Sequence, residues 1–269
     1  MNGNNNFDRK NKQRYYLDEK KTKKLDNKMQ SIIDRVGLDR KTQDGVFDKK
    51  TLKTIEKLIS DQYISYFDFP ISTGKEGNVF RGYDSNKKII AIKIYRTSNS
   101  TFKHISKYII GDPRFKDINK NKQDIINNWT KKEYINLEKL LIAGIRAPRP
   151  IARLNNVLIM EYIGNKKESA PLMKNIKIEN PEIIFLTIID YIKKMFKKVN
   201  LVHADLSEYN ILIHKKTPYI IDVGQAVLLD HPNSIEFLKR DIINIVNYFK
   251  KYKIKSDSEL IFNDIINSR

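Results

Sequence analysis

The sequence contains no cysteine, which excludes disulfides and cysteine-bearing zinc sites and leaves the compartment open. Its histidines, His104, His203, His214 and His231, are scattered without any HExxH-like pairing, so a zinc centre is not expected. No apolar run approaches the length needed to cross a bilayer. The opening stretch MNGNNNFDRKNKQRYY lacks the apolar core of a signal peptide, and the expectation is a cytoplasmic protein with no membrane association. Acidic residues are short too. Against 51 Lys and Arg stand 32 Asp and Glu, a net charge of +19. An excess of that size favours a polyanionic partner such as nucleic acid or a ribonucleoprotein surface. A genome rich in Lys, Asn and Ile codons produces the same excess, so charge alone does not name the partner.

What is present suffices for one large domain or two lobes: 269 residues, 40% of them hydrophobic. Residues 1–30 are rich in Asn, Lys and Asp and read as a mobile basic tail. Asp48 can cap a helix whose apolar positions Leu52, Ile55, Leu58 and Ile59 recur with helical period, and Pro70 closes this segment. From Ile71 the pattern changes to short strands, the most β-branched being Ile89 to Tyr95. Residues 97–122 form a long polar insertion interrupted by Gly111-Asp112-Pro113. Helices are expected from Asp124 to Ala143, from Pro181 to Val199, from Pro232 to about Lys250 and over 258–267, with a buried strand from Val157 to Tyr162. Two short strands are expected around 211–213 and 219–221. Strands first and helices later point to an α+β chain with a small β-rich lobe joined to a helical one.

Four constellations carry chemistry. His203-Ala204-Asp205-Leu206-Ser207-Glu208-Tyr209-Asn210 matches the catalytic-loop pattern H-x-D-L-x-x-x-N. A phosphoryl acceptor needs a carboxylate beside its hydroxyl, and a nearby amide oxygen must hold a metal ion. Asp205 suits the first role and Asn210 the second; a capped polar turn is the competing interpretation. Seventeen residues after Asp205, at the end of an apolar strand, comes Asp222-Val223-Gly224, a carboxylate placed to ligate magnesium and a glycine that lets the chain turn away. Ser72-Thr73-Gly74-Lys75-Glu76-Gly77-Asn78-Val79 keeps two glycines and the valine of a phosphate-cradling loop, although taken alone it reads better as a hairpin turn. Ile90-Ala91-Ile92-Lys93 puts a lysine in an apolar strand, where it needs a carboxylate partner. Trp129, Glu133, Leu137 and Leu141 share one helical stripe, so Glu133 is the expected partner, an exposed glutamate on a helix edge being the competing interpretation, whereas Glu138 lies around the helix and is expected to face solvent.

In this order the elements resemble the RIO kinases, and the RIO1 branch in particular. The stretches PISTGKEGNVF, AIKIY, WTKKEYINLEKL, IMEYIG, LVHADLSEYNIL, YIIDVGQAV and DHPNSIEFLKRD carry the likeness from Gly45 to about Phe249. The resemblance implies a bilobal protein-kinase-like fold: a flexible tail at 1–30, an N-terminal helical extension at 31–70, an N-lobe at 71–160 with its insertion at 97–122, and a truncated C-lobe at 161–269. It implies an atypical serine/threonine protein kinase or ATPase using ATP and Mg2+, with Mn2+ as an alternative. Asp205 would be catalytic, Lys93 would hold phosphates beside Glu133, and Asn210 and Asp222 would bind metal. The glycine loop Ser72–Val79 and a hinge at Met160, Glu161, Tyr162 and Ile163 would contact the nucleotide. It further implies a role in small ribosomal subunit maturation, with a pre-ribosomal, rRNA-rich partner that suits the basic charge. The 47 residues after Asp222 contain no A-P-E element, so the usual platform for a peptide substrate is expected to be missing, and the insertion is expected to cover part of the nucleotide instead. By the same likeness, ATP hydrolysis through a phosphorylated Asp222 can matter more than phosphorylating another protein.

Two functions compete with a plain kinase. One is a ribosome-binding assembly factor that uses nucleotide only as a conformational clamp. The other is a small-molecule kinase of the aminoglycoside or choline type, which shares H-x-D-x-x-x-x-N but needs a larger helical lobe to build its acceptor pocket. Oligomeric state is not legible in the sequence.

Overall fold

The computed structural model describes residues 47–74, 76–97 and 121–267, together with Ile105, Tyr108, Asp112 and Arg114. The tail at 1–30, the extension up to residue 46, Lys75 and most of the insertion lie outside the described residues. Helix α1 (Lys49–Ser60) begins where Asp48 accepts a hydrogen bond from the Thr51 N–H at 2.7 Å, the N-cap expected from its side chain. Its Leu52, Ile55 and Leu58 are buried together with Phe67, Phe80, Ile90 and Ile159 of the sheet.

That sheet comprises β1 (Tyr66–Thr73), β2 (Gly77–Tyr83), β3 (Ile89–Tyr95), β4 (Pro150–Leu154) and β5 (Val157–Glu161), in the spatial order β1-β2-β3-β5-β4. All its pairings are antiparallel. Helix α2 (Lys122–Ile142) enters between β3 and β4. Two boundaries differ from the sequence expectation. The first strand starts at Tyr66, not after Pro70, and Pro70 sits inside it between two register shifts. β1 is an edge strand, where a missing backbone N–H is tolerated. The other edge, β4, opens on Pro150 and was not anticipated; proline-flanked Arg149 and the brevity of the strand hid it.

Period-two alternation in β3 does the sorting. Ile90, Ile92 and Ile94 face α1, while Tyr95 packs in a second cluster with Ile105, Ile125, Ile126 and Trp129. Lys93 shares the Tyr95 face, opposite Leu158 of β5 in register. The three isoleucines are fully enclosed, and burying each stabilises the sheet by roughly 1.5–3 kcal/mol.

The second half is helical around its own core. A 3-10 turn (Met173–Asn175) precedes α3 (Pro181–Val199), which ends at Asn200 in the left-handed region. Then come the short strands β6 (Leu201–Val202), β7 (Ile211–His214), β8 (Thr217–Ile220) and β9 (Val227–Leu228), followed by α4 (Ser234–Lys250) and α5 (Ser258–Asn267). Helix α4 starts two residues after Pro232, with Asn233 at its cap. β6 pairs with β9, and β7 with β8. These two small ladders are the frame of the site. One loop leaves β6 and returns at β7, and the other leaves β8 and returns at β9, so the pairings force residues 203–210 and 221–226 to lie side by side. Among the described residues, no helix is long and apolar enough to cross a membrane.

Candidate active site

One ammonium group organises the site. Lys93 Nζ donates to both carboxylate oxygens of Glu133 at 2.9 Å, and to Asp222 Oδ1 at 2.9 Å. Glu133 is 1% exposed at its side chain, Lys93 10% and Asp222 42%, so the pair is enclosed and the third group faces the cleft. Glu133 sits on the buried stripe of α2 with Trp129 and Leu137, and Glu138 is exposed, as the helical period required. Burial disfavours the lysine's charge, but the carboxylates of Asp222 and Glu133 outweigh it and hold the ammonium above its ordinary range. Glu133 is pushed upward by the same burial and pulled back by Lys93. The ionised pair is the state in which every buried polar atom of the contact is matched.

The loop after β6 is held by its backbone. Ala204 lies at φ +65°, a left-handed conformation unfavourable to a side chain. Asp241 of α4 is 1% exposed and accepts from the N–H groups of Ala204 and Leu206, each at 2.8 Å, gripping the chain on both sides of Asp205. Burial pushes the Asp241 carboxyl up to about 7, against those two N–H groups and Arg240, which favour its charge. Arg240 donates to the Ala204 carbonyl, and Asn244 to the Leu206 carbonyl at 3.1 Å. Asn210 Nδ2 donates to the Asp205 carbonyl at 2.8 Å and to Asp205 Oδ2 at 3.2 Å. The amide N–H2 is thereby spent, and its oxygen is the atom left for a cation. His203 is buried; its Nε2 lies 3.1 Å from the Ile221 carbonyl and must carry the proton there, and burial lowers its pKa so that the ring is neutral near pH 7.

The loop after β8 is braced from the opposite side. Asp222 has φ +58°, again left-handed. Asn136 of α2, fully buried, donates to the Val223 carbonyl at 2.8 Å and to the Ala226 carbonyl at 3.3 Å. Gly224 lies under the Trp129 indole, and a Cβ there would stand 2.9 Å from two ring carbons. The glycine is needed here for close approach to the indole; its φ is not left-handed, so the turn expected of it from the sequence does not itself require glycine.

The glycine-bearing segment forms the β1–β2 hairpin turn, between the pairs Ser72–Val79 and Thr73–Asn78. Gly74 N–H bonds the Gly77 carbonyl at 3.0 Å. A Cβ on Gly77 would lie 2.5 Å from the Ile94 carbonyl, so strand contact excludes any side chain there. Val79 pairs with Lys93, which sets the turn beyond the ammonium. Glu76 is close enough to Glu133 to raise its pKa. Met160 and Glu161 end β5, and Tyr162 and Ile163 follow. The Glu161 N–H is spent on the Arg149 carbonyl at 2.8 Å, and the Ile163 carbonyl on Ala170 N–H at 2.9 Å. Of the expected site residues, the structure thus gathers Lys93, Glu133 and Asp222 in direct contact and joins Asp205 to Asn210. The hairpin turn and the 160–163 segment flank them.

A RIO-domain family model matches residues 78–261. The chain belongs to the RIO kinase family. It is 40% identical over 222 residues to the RIO-type serine/threonine-protein kinase Rio1 of Haloferax volcanii, covering 82% of this chain and 76% of that protein. It is 37% identical over 238 residues to human serine/threonine-protein kinase RIO1, covering 87% of this chain but only 42% of the human protein. The fold is that of the Rio2 kinase of Chaetomium thermophilum, solved as an ADP/Mg2+-phosphoaspartate complex: TM-score 0.61, 19% identity, 81% of this chain and 70% of that one. The bilobal kinase-like α+β architecture and the atypical protein-kinase class expected from the sequence stand.

The RIO site suits a divalent cation of the magnesium type. The donors available to it would be oxygens, from the half-exposed Asp222 carboxylate and the Asn210 amide. Among the described residues no cluster of three or more His, Cys, Asp or Glu forms a cation cage. Magnesium fits a site of that kind, completing its shell with phosphate oxygens and water. Asp241, Arg240 and Asn136 were missed by sequence reasoning. The signal was available for Asp241, which interrupts the apolar positions Leu238, Ile242 and Ile245 of α4 just as Glu133 interrupts α2. Asn136 lies one turn after Glu133 on the same buried face.

Proposed function

We propose that this chain is an ATP-dependent phosphotransferase, an atypical serine/threonine protein kinase or ATPase, in which Asp205 is the catalytic base. The observation that carries the reading is the Lys93 ammonium held within 2.9 Å of both Glu133 and Asp222. A lysine so placed presents its charge to a triphosphate and is kept in place by Glu133. Asn210 and Asp222 would hold magnesium, which would supply positive charge to offset that of the phosphates. The hairpin turn from Ser72 to Val79 covers the phosphates, and residues Met160 to Ile163 receive the base. Asp205 takes the proton of the acceptor hydroxyl, the acceptor oxygen bonds the γ-phosphorus, and ADP leaves with the bridging oxygen. An alternative acceptor is a carboxylate oxygen of Asp222; the phosphoaspartate in the Chaetomium Rio2 structure supports that reading.

Incubation with γ-labelled ATP and magnesium should yield labelled protein or free phosphate. Intact turnover in both Asp205→Ala and Asp222→Asn would sink the assignment. Label on Asp222 would be lost in hydroxylamine, whereas label on a hydroxyl would persist. The biological setting we infer is cytoplasmic, in maturation of the small ribosomal subunit, supported by the net charge of +19. Co-sedimentation with small-subunit precursors should then require ATP and weaken steeply with salt. Binding that persists unchanged at high salt, or none, removes that part.

A further inference from the structure

The described residues of the insertion reach the site through two arms that the proposed chemistry does not use. In the first, Tyr108 lies within electrostatic reach of Arg240, both groups packing against the Phe237 ring, and Arg240 donates to the Ala204 carbonyl, next to Asp205. In the second, Arg114 Nη1 donates to Asn136 Oδ1 at 2.8 Å, and Asn136 holds the Val223 and Ala226 carbonyls next to Asp222. Arg114 is itself aimed by Asp112, which takes its Nε at 2.9 Å and its Nη2 at 2.7 Å. Asp112 is 2% exposed and Asn136 fully buried. The Tyr108 ring packs 6.1 Å from Trp129 and 6.2 Å from Phe237, and its carbonyl accepts from Lys132 at 3.0 Å.

Both arms end where the backbone is least self-sufficient. Ala204 and Asp222 each hold a left-handed φ, a state that costs of order 1 kcal/mol and persists only when neighbours impose it. We propose that Tyr108 and Arg114 are positioning residues, the two arms of a strap that sets the separation of Asp205 and Asp222. This rests on the roles proposed above for those two carboxylates.

The full chain tests this with Arg114→Met and Tyr108→Phe, using Mn2+ as a paramagnetic probe in the presence of ADP. Arg114→Met should weaken Mn2+ binding about tenfold, the equivalent of one buried hydrogen bond, and speed amide exchange in residues 222–227. Tyr108→Phe keeps its ring in place and should leave Mn2+ binding within about twofold, while lowering turnover about fivefold and loosening amides 203–207. Parental Mn2+ affinity and exchange in a folded Arg114→Met, or parental turnover in Tyr108→Phe, overturn the strap. Should Arg114→Met not fold, Arg114→Lys decides the same question, since an ammonium keeps the charge beside Asp112 but cannot span Asp112 and Asn136 together. Asp222→Asn run in parallel separates the two failures. If it still binds Mn2+, the reading of the metal site is wrong; if it does not and Arg114→Met binds normally, only the strap is wrong.

Discussion

Two parts of the site are built on opposite principles. The Lys93–Glu133 seat joins the interior of a strand to the interior of a helix, and one enclosed ion pair completes it. The Asp205 and Asp222 loops carry half-exposed side chains on left-handed backbone, and each is gripped by a buried polar side chain from a helix: Asp241 from α4, Asn136 from α2. Regular elements need no help to aim a side chain, because their dihedrals already lie in favoured wells. Loops that must present a charge to solvent-borne ligands have neither a core face nor a ladder, so distant groups supply their rigidity. The seat is therefore sensitive to charge, and the loops to the number and direction of hydrogen bonds.

Substitutions can break this contrast, beginning with the largest effect. Lys93→Met should lower kcat/KM at least ~100-fold by removing the phosphate contact. It should also leave Glu133 buried and unmatched. A raised folded pKa means that the native state holds its proton while the unfolded carboxyl, near 4.5, releases it. The variant's stability should consequently fall as pH rises above 4.5, visible as a melting temperature lower at pH 8 than at pH 6. Asp241→Asn should lower kcat roughly 10- to 100-fold with a smaller change in KM, because one amide cannot accept from both Ala204 and Leu206 N–H groups and its own N–H2 meets a donor. Steady-state kinetics check this. Gly224→Ala should cost about 1–3 kcal/mol in denaturant unfolding, since the added methyl collides with the Trp129 ring. Lys132→Met should be the mildest. Burial lowers the Lys132 pKa to about 7, despite Asp112 at 3.8 Å. The unfolded lysine binds a proton up to 10.5, so the parent should gain stability as pH rises from 7 toward 10.5. Lys132→Met should lose that slope and melt higher than the parent near pH 7, by the equivalent of about 1 kcal/mol.

Much of the seat was legible because periodicity reports burial directly. A charge in the stripe Trp129, Glu133, Leu137 could be paired with a lysine in an apolar strand without knowing where either element lay. The loops were legible only as motif spacing. His203 to Asn210 and Asp222 to Gly224 named the groups that would carry chemistry, but nothing local revealed that Asp241 would hold Ala204 and Leu206 from 35 or more residues away. Its interruption of the α4 stripe was the one available sign. Strands β6 and β9, two residues each, carry too little pattern to be seen. β1 was misplaced because proline is a strand breaker everywhere except at an edge, and edges are a property of the assembled sheet.

By itself the sequence determined the helices and the central strands, which lysine and glutamate must meet, and which carboxylates and amide are candidates for the chemistry. Those follow from side-chain periodicity and from the cost of enclosing a lone charge, both of which are local. The tertiary structure alone decided how the two loops are held at their separation. That depends on hydrogen bonds between side chains on α2 and α4 and backbone groups far away in the chain, and directional bonds of that kind leave no period to read.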